Sequence, residues 1–129
     1  MAAPKDLRFT KTHEWLRQDG DVVTIGISDH AQNELGDITY VELPKPGDAV
    51  SRNEPFGVVE SVKAASDVFA PVDGEVIERN ETVVDAPDLV NSSPYELAWL
   101  LKIRLNDPSQ LETLMDAPAY DAYAETAKH

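Results

Sequence analysis

"PFGVVESVKAASDVFAPVDGEV", residues 55–76, decides the fold class. Two runs rich in valine and phenylalanine, side chains that suit a pleated and half-buried surface, flank a short segment of small residues. Prolines at 55 and 71 sit at the edges of these runs, where a missing N–H does little harm. The pattern predicts two strands joined by a tight turn, with Lys63 in the turn. A lysine is ordinarily a solvated surface residue. Here Val58, Val59 and Val62 precede it, Ala64 and Ala65 follow, and Val68 and Phe69 open the next strand. These neighbours are too small to block access to the amine, so the turn presents the lysine.

Working outward, "EWLRQDGDVVTIGI" (14–27) holds Asp19-Gly20 between two apolar runs and predicts a hairpin. "SDHAQNELG" (28–36) predicts one short helix, opened by Ser28 as N-cap and closed by Gly36 in a left-handed conformation. From 38 to 84 the pattern is β throughout, broken by "PKPGD" and other tight turns. "PGDAV" (46–50) and "VDGEV" (72–76) lie on opposite sides of Lys63 and echo each other, a hint of two related halves. After a polar connection, "DAPDLVNSSPY", the segment "AWLLKIRL" (98–105) predicts a last buried strand. "DPSQLETLMD" and "APAYDAYAETA" read as helical, with Asp107 and Asp116 as caps and Pro108 and Pro118 near the first turns. Lys128 and His129 are expected to fray. The expected fold is mainly β: a flattened barrel or sandwich with short helices and a helical C-terminus. It is read as one domain over 1–129, with a β core over about 8–105 and a helical segment over about 107–127.

Composition narrows the chemistry. A chain of 129 residues can build a core without staples, and it has no cysteine, so any thiol or disulfide chemistry has to be imported. The net charge of −13 argues against a nucleic-acid partner, because phosphate binding depends on clustered Lys and Arg, and it favours a monomer. No apolar run is long enough to span a bilayer, and "MAAPKDLRF" lacks the apolar core of a signal peptide. The expectation is a cytoplasmic protein, or a processed form in the mitochondrial matrix. His13 and His30 lack companion ligands at metal-site spacing and read as packing or surface residues. Ser28, Asp29 and His30 read as a helix start rather than a catalytic triad.

"VESVKAASD" followed by "APVDGEV" resembles the prosthetic-group hairpin of lipoyl and biotinyl carrier domains. Biotin carriers flank the modified lysine with methionines, whereas Val62 and Ala64 stand here, so lipoate is favoured. "KTHEW", "TIGISDHAQNELGDITYVELPKPGD", "FGVVESVKAASD" and "LVNSSPY" together resemble the H-protein family of the glycine cleavage system over about 9–123. In that family a glycine usually precedes the tryptophan that begins the last long strand; here Ala98 precedes Trp99, with Leu97 where a polar residue is common. If the family glycine has positive φ, Ala98 is strained; if it is merely small, alanine fits.

The resemblance implies a carrier and not an enzyme, with lipoate joined to Lys63. Glycine decarboxylase passes an aminomethyl group to the arm, aminomethyltransferase moves the one-carbon unit on, and dihydrolipoamide dehydrogenase reoxidises the dithiol. Lipoylating enzymes are further partners; no nucleic acid and no membrane is involved. The family match also implies that Glu14, Asp67 and the hydroxyl of Thr12 hold the loaded arm, the carboxylates through charge-assisted hydrogen bonds to its ammonium. An alternative role is a lipoyl donor or relay in lipoate metabolism, and a third reading is an interaction module whose lysine is never modified.

Overall fold

A computed structural model describes residues 6–127; Lys128 and His129, expected to fray, lie outside them. The lysine hairpin is the centre of the smaller of two sheets. Strand β6 (Pro55–Ser61) pairs antiparallel with β7 (Ala65–Phe69), and on its other side with β4 (Ile38–Glu42). Side chains alternate across this sheet as strand geometry requires. Val41 opposite Val59 is buried, whereas Tyr40 opposite Glu60 is exposed.

The larger sheet has six strands. Strands β1 (Arg8–Phe9), β2 (Glu14–Asp19) and β3 (Val22–Ile27) are followed in space by β9 (Leu101–Leu105), β8 (Gly74–Arg79) and β5 (Ala49–Val50), all antiparallel. The hairpin over 14–27 turns through Gly20, which takes positive φ as the Asp-Gly signal demands. The two sheets share one core. Val41, Val59 and Val68 from the small sheet join Val23, Ile25, Val76, Leu101 and Ile103 from the large one, each at most 2 % exposed. The barrel is not closed, so of the two expected architectures the sandwich describes the protein. The echoing segments 46–50 and 72–76 lie side by side, with Ala49 opposite Glu75 and Val50 opposite Gly74.

A second cluster covers the outer side of β1 and β2. Helix α4 (Ala117–Ala127) brings Ala117, Tyr120 and Ala124 onto Leu7, Phe9 and Trp15, with the Phe9 and Tyr120 rings stacked at 4.3 Å. Asp116 accepts the Ala119 N–H and caps that helix as expected. The segment before it, capped by Asp107, forms a 3₁₀ helix over Pro108–Thr113. No helix among the described residues is long and apolar enough to cross a membrane.

The type or bounds of an element differ from the sequence expectation in three places. "ETVVD" was expected to continue the β pattern and is instead helix α2 (Glu81–Asp85), because Asn80 accepts the Thr82 N–H as an N-cap and only Val83 of the segment is buried. The polar connection contains a further turn of helix, α3 (Leu89–Ser92), pinned by buried Val90. Residues 98–100 precede β9 instead of belonging to it, although the Leu100 N–H still reaches the Ile25 carbonyl at 2.7 Å. Ala98 is 2 % exposed, and among the described residues positive φ outside glycine occurs only at His13 and Asn53. The position is buried and has no left-handed backbone, so alanine sits there without backbone strain.

Candidate functional site

Lys63 sits at the exposed tip of the β6–β7 hairpin, and local hydrogen bonds fix the turn around it. The Ser61 hydroxyl accepts the N–H groups of Lys63 and Ala64 at 3.1 and 3.2 Å, and the Ser61 N–H donates to the Ala64 carbonyl at 2.8 Å. Serine can do this because its short side chain reaches back to nearby backbone. From outside, the Asp37 carbonyl accepts the Val62 N–H at 3.0 Å. Among the described residues no hydrogen bond or ion pair engages the Lys63 ammonium, and Val62 beside it is 68 % exposed. The amine is therefore open to an approaching reagent while its backbone is held.

The lysine stem runs over Gly36, which closes helix α1 (Asp29–Leu35). Ser28 opens that helix as N-cap, accepting the Ala31 N–H. Gly36 ends it with φ +81° and ψ −158°, which is positive φ with extended ψ and not the left-handed helical conformation expected. That region is essentially reserved for glycine. A Cβ there would also lie 3.4 Å from Lys63 Cε. Gly36→Ala is expected to lower stability by about 1–3 kcal/mol, from backbone strain rather than from the yielding lysine stem. Chemical denaturation measures it, and an unchanged midpoint would mean that the segment relaxes freely.

Glu14 opens β2 and is only 2 % exposed. Its carboxylate is well supplied with donors: the hydroxyls of Thr10, at 2.6 Å, and Thr12 both donate to Oε1, and the Phe69 N–H donates to Oε2 at 3.1 Å. Thr12 is exposed at the rim. Asp67 stands exposed two residues before Phe69 on β7. Thr12 and Glu14 are thus in direct contact, and Glu14 is tied to the strand that carries Asp67. The four steps from Ala65 to Phe69 span about 13 Å at ~3.3 Å per residue, further than an unmodified lysine side chain reaches. Sequence reasoning did not find Ser61, Asp37, Thr10 or the Phe69 N–H; only Ser61 had a signal, a hydroxyl residue two positions before the turn lysine.

Burial pushes the Glu14 carboxyl above the ordinary glutamate range, and the bonds from Thr10, Thr12 and Phe69 oppose that shift without cancelling it. A raised folded pKa means that the native state binds the proton more tightly. The resulting stability is fully present below the unfolded value of about 4.3 and is lost as pH rises through the folded value. The stability of the native chain relative to Glu14→Gln is therefore expected to fall with rising pH across that window and then to level off. Denaturant titrations of both proteins at several pH values check this, and a flat or rising difference would contradict it.

The remaining polar side chains brace this corner. Tyr120 from α4 meets the Ser28 hydroxyl at 2.6 Å and His13 Nδ1 at 2.7 Å, and the His13 and His30 rings lie 4.6 Å apart. Both histidines take packing roles. Among the described residues no group of three or more His, Cys, Asp and Glu is arranged to hold a metal ion.

Comparison with known proteins agrees with this architecture. Residues 7–127 match the model of the family described as glycine cleavage H-protein. The chain is 53% identical over 125 residues to the glycine cleavage system H protein of Anaeromyxobacter sp. (strain K), covering 97% of this chain and 98% of that protein. It is 51% identical over 127 residues to the mitochondrial glycine cleavage system H protein 2 of Arabidopsis thaliana, covering 97% and 81% of the two chains. The crystal structure of a glycine cleavage system H protein from Mycobacterium marinum superposes with a TM-score of 0.85 at 35% identity, covering 96% of this chain and 98% of that one. The chain belongs to the glycine cleavage H-protein family.

Proposed function

We propose that Lys63 is the residue that carries lipoate in this chain, and that Glu14, Asp67 and Thr12 form the place where the loaded arm docks. As a member of its family the chain is a lipoyl-bearing carrier and not a catalyst. It takes the aminomethyl group from glycine decarboxylase to aminomethyltransferase and then presents the reduced arm to dihydrolipoamide dehydrogenase. Lipoate, joined as an amide to a lysine amine, supplies the dithiolane that accepts the aminomethyl group and is reduced in doing so. The chain has no cysteine with which to supply that sulfur itself.

The observation that carries the assignment is an exposed ammonium, engaged by none of the described residues, on a turn whose backbone is held from inside by Ser61 and from outside by Asp37. Such a turn offers a modifying enzyme a fixed shape and a free amine. The docking proposal is supported by acceptor arithmetic at Glu14. A carboxylate has about four acceptor positions. Thr10 and Thr12 take two on Oε1 and the Phe69 N–H takes one on Oε2, leaving one on Oε2 for an incoming ammonium. Thr12 at the rim and Asp67 on the neighbouring strand offer further polar contacts to the same guest.

Peptide mapping by mass spectrometry of the full chain, made in a host with lipoylating enzymes, tests the attachment. The lipoyl mass is expected on the peptide that contains Lys63. Finding it on another lysine, or on none, removes the proposal.

A further inference from the structure

We infer that Asn91 is the positioning residue for the lysine turn, acting through the Gly36–Asp37–Ile38 segment; the inference rests on the reading of Lys63 as the attachment residue. Asn91 lies on α3, 28 positions after Lys63 in the sequence, and both donors and the oxygen of its amide are turned to a single segment. Its Oδ1 accepts the Ile38 N–H at 2.8 Å, and its Nδ2 donates to the Gly36 carbonyl and to Gln32 Oε1, both at 2.9 Å. Gln32 is itself oriented by donating to Asp29 Oδ1 at 2.8 Å, so the amides form one consistent chain from Asp29 to Ile38.

The arrangement matters because of what lies between the two backbone contacts. Asn91 grips residue 36 through its carbonyl and residue 38 through its N–H. The residue between them is Asp37, whose carbonyl accepts the Val62 N–H, immediately before Lys63. Gly36 is in a conformation that only glycine adopts readily, so its neighbours must hold it there. An asparagine side chain suits the task because one group supplies both an acceptor and two donors. Without it, the Gly36 carbonyl and the Ile38 N–H lose the partners given above, and the direction of the Asp37 carbonyl is no longer fixed from both sides.

N91D tests this at constant size. The carboxylate can still accept the Ile38 N–H, but it sets an acceptor against the Gly36 carbonyl and Gln32 Oε1. The turn then spends only part of its time in the presented form, and a modifying enzyme that binds this form sees a correspondingly weaker substrate. The full unlipoylated chain is incubated with a lipoate–protein ligase, ATP and lipoate, and product is followed by intact mass. The expected result for N91D is a KM for the carrier raised by about tenfold with kcat unchanged, the ratio set by the fraction of presented turn. Hydrogen exchange at the Val62 amide is expected to quicken by a similar factor, while the amides of Ile25 and Ile103 in the core exchange as before.

Native KM and native Val62 exchange in N91D overturn the inference while leaving Lys63 as the attachment residue. Lipoate mapped to a residue other than Lys63 overturns both. If N91D speeds exchange at Ile25 and Ile103 as well, Gln32→Ala is the deciding variant, since alanine favours helix and Asn91 keeps both of its backbone contacts while losing its bond to Gln32, which also gives up its bond to Asp29. A KM rise of about threefold with faster Val62 exchange is then expected, since Asn91 itself loses a single bond, a modest net change, and no change in either overturns the inference.

Discussion

Lys63→Arg is expected to abolish lipoylation entirely and to leave the fold unchanged. Arginine keeps the positive charge and much of the stem, but its guanidinium is not an amine that forms a stable amide with lipoate. The turn itself owes nothing to the ammonium. Its bonds link Ser61 to Lys63 and Ala64, and the Val62 N–H to the Asp37 carbonyl, all through backbone groups and the Ser61 hydroxyl. Of the other described lysines, Lys102 lies on β9 with its amine 3.8 Å from Glu78 and 5.0 Å from the Trp99 ring, which leaves it poorly placed for transfer. Lys11 and Lys45 sit in loops without a serine-held hairpin, and Lys45 stands between two prolines. Intact mass of native and variant protein from the same host, with a thermal or denaturant midpoint for each, measures both parts. A lipoyl adduct on the variant would show that the enzyme accepts another lysine, and a shifted midpoint would show that the ammonium does structural work.

The lysine hairpin was legible in the sequence because every cue is local: β-branched runs, small residues at the turn, prolines at the edges. The hairpin over 14–27 and the helix with Ser28 as its cap were legible for the same reason, each being coded within fourteen residues or fewer. Helices α2 and α3 were not. They have five and four residues, too few for helical periodicity to show, and a lone short helix is unstable without capping and packing supplied from elsewhere. In the site, Glu14 and Thr12 were named from a family resemblance, but the physical state of Glu14 was out of reach. Nothing in "KTHEW" tells that Glu14, one of 24 acidic residues, is buried or that it receives an N–H from Phe69, 55 positions away. The Asn91 contacts with Gln32, Gly36 and Ile38 bridge 53 to 59 positions and were equally hidden. Long-range polar contacts leave little trace in one sequence, because a single asparagine or glutamate looks the same whether it is solvated or fully engaged.

The buried carboxylate gives the docking proposal its sharpest consequence. With the aminomethyl cargo on the arm, Glu14→Gln is expected to leave lipoylation and fold intact but to speed the loss of formaldehyde and ammonia. Glutamine matches the size of glutamate, and its amide oxygen can keep the Phe69 N–H. The amide nitrogen then faces Thr10 and Thr12, whose hydroxyls can rotate to accept from it. The local bonds re-form, but the incoming ammonium finds no charge. A hydrogen bond to a charged, largely buried partner contributes about 1.5–3 kcal/mol, so losing it raises the undocked fraction by about ten- to hundredfold when the docked state dominates. Release follows in proportion if water reaches the cargo only on the undocked arm, since a sheltered site works by excluding water. Asp67→Asn is expected to act in the same direction with a smaller effect, because Asp67 is exposed and its charge is screened by solvent. A carrier with an oxidised, empty arm presents no ammonium to either carboxylate, and its arm mobility is expected to match the native protein in both variants. Formaldehyde release from purified loaded protein, native against each variant, separates the cases: equal rates would mean that these carboxylates do not guard the cargo, and faster release from Asp67→Asn alone would move the guard from the buried residue to the exposed one.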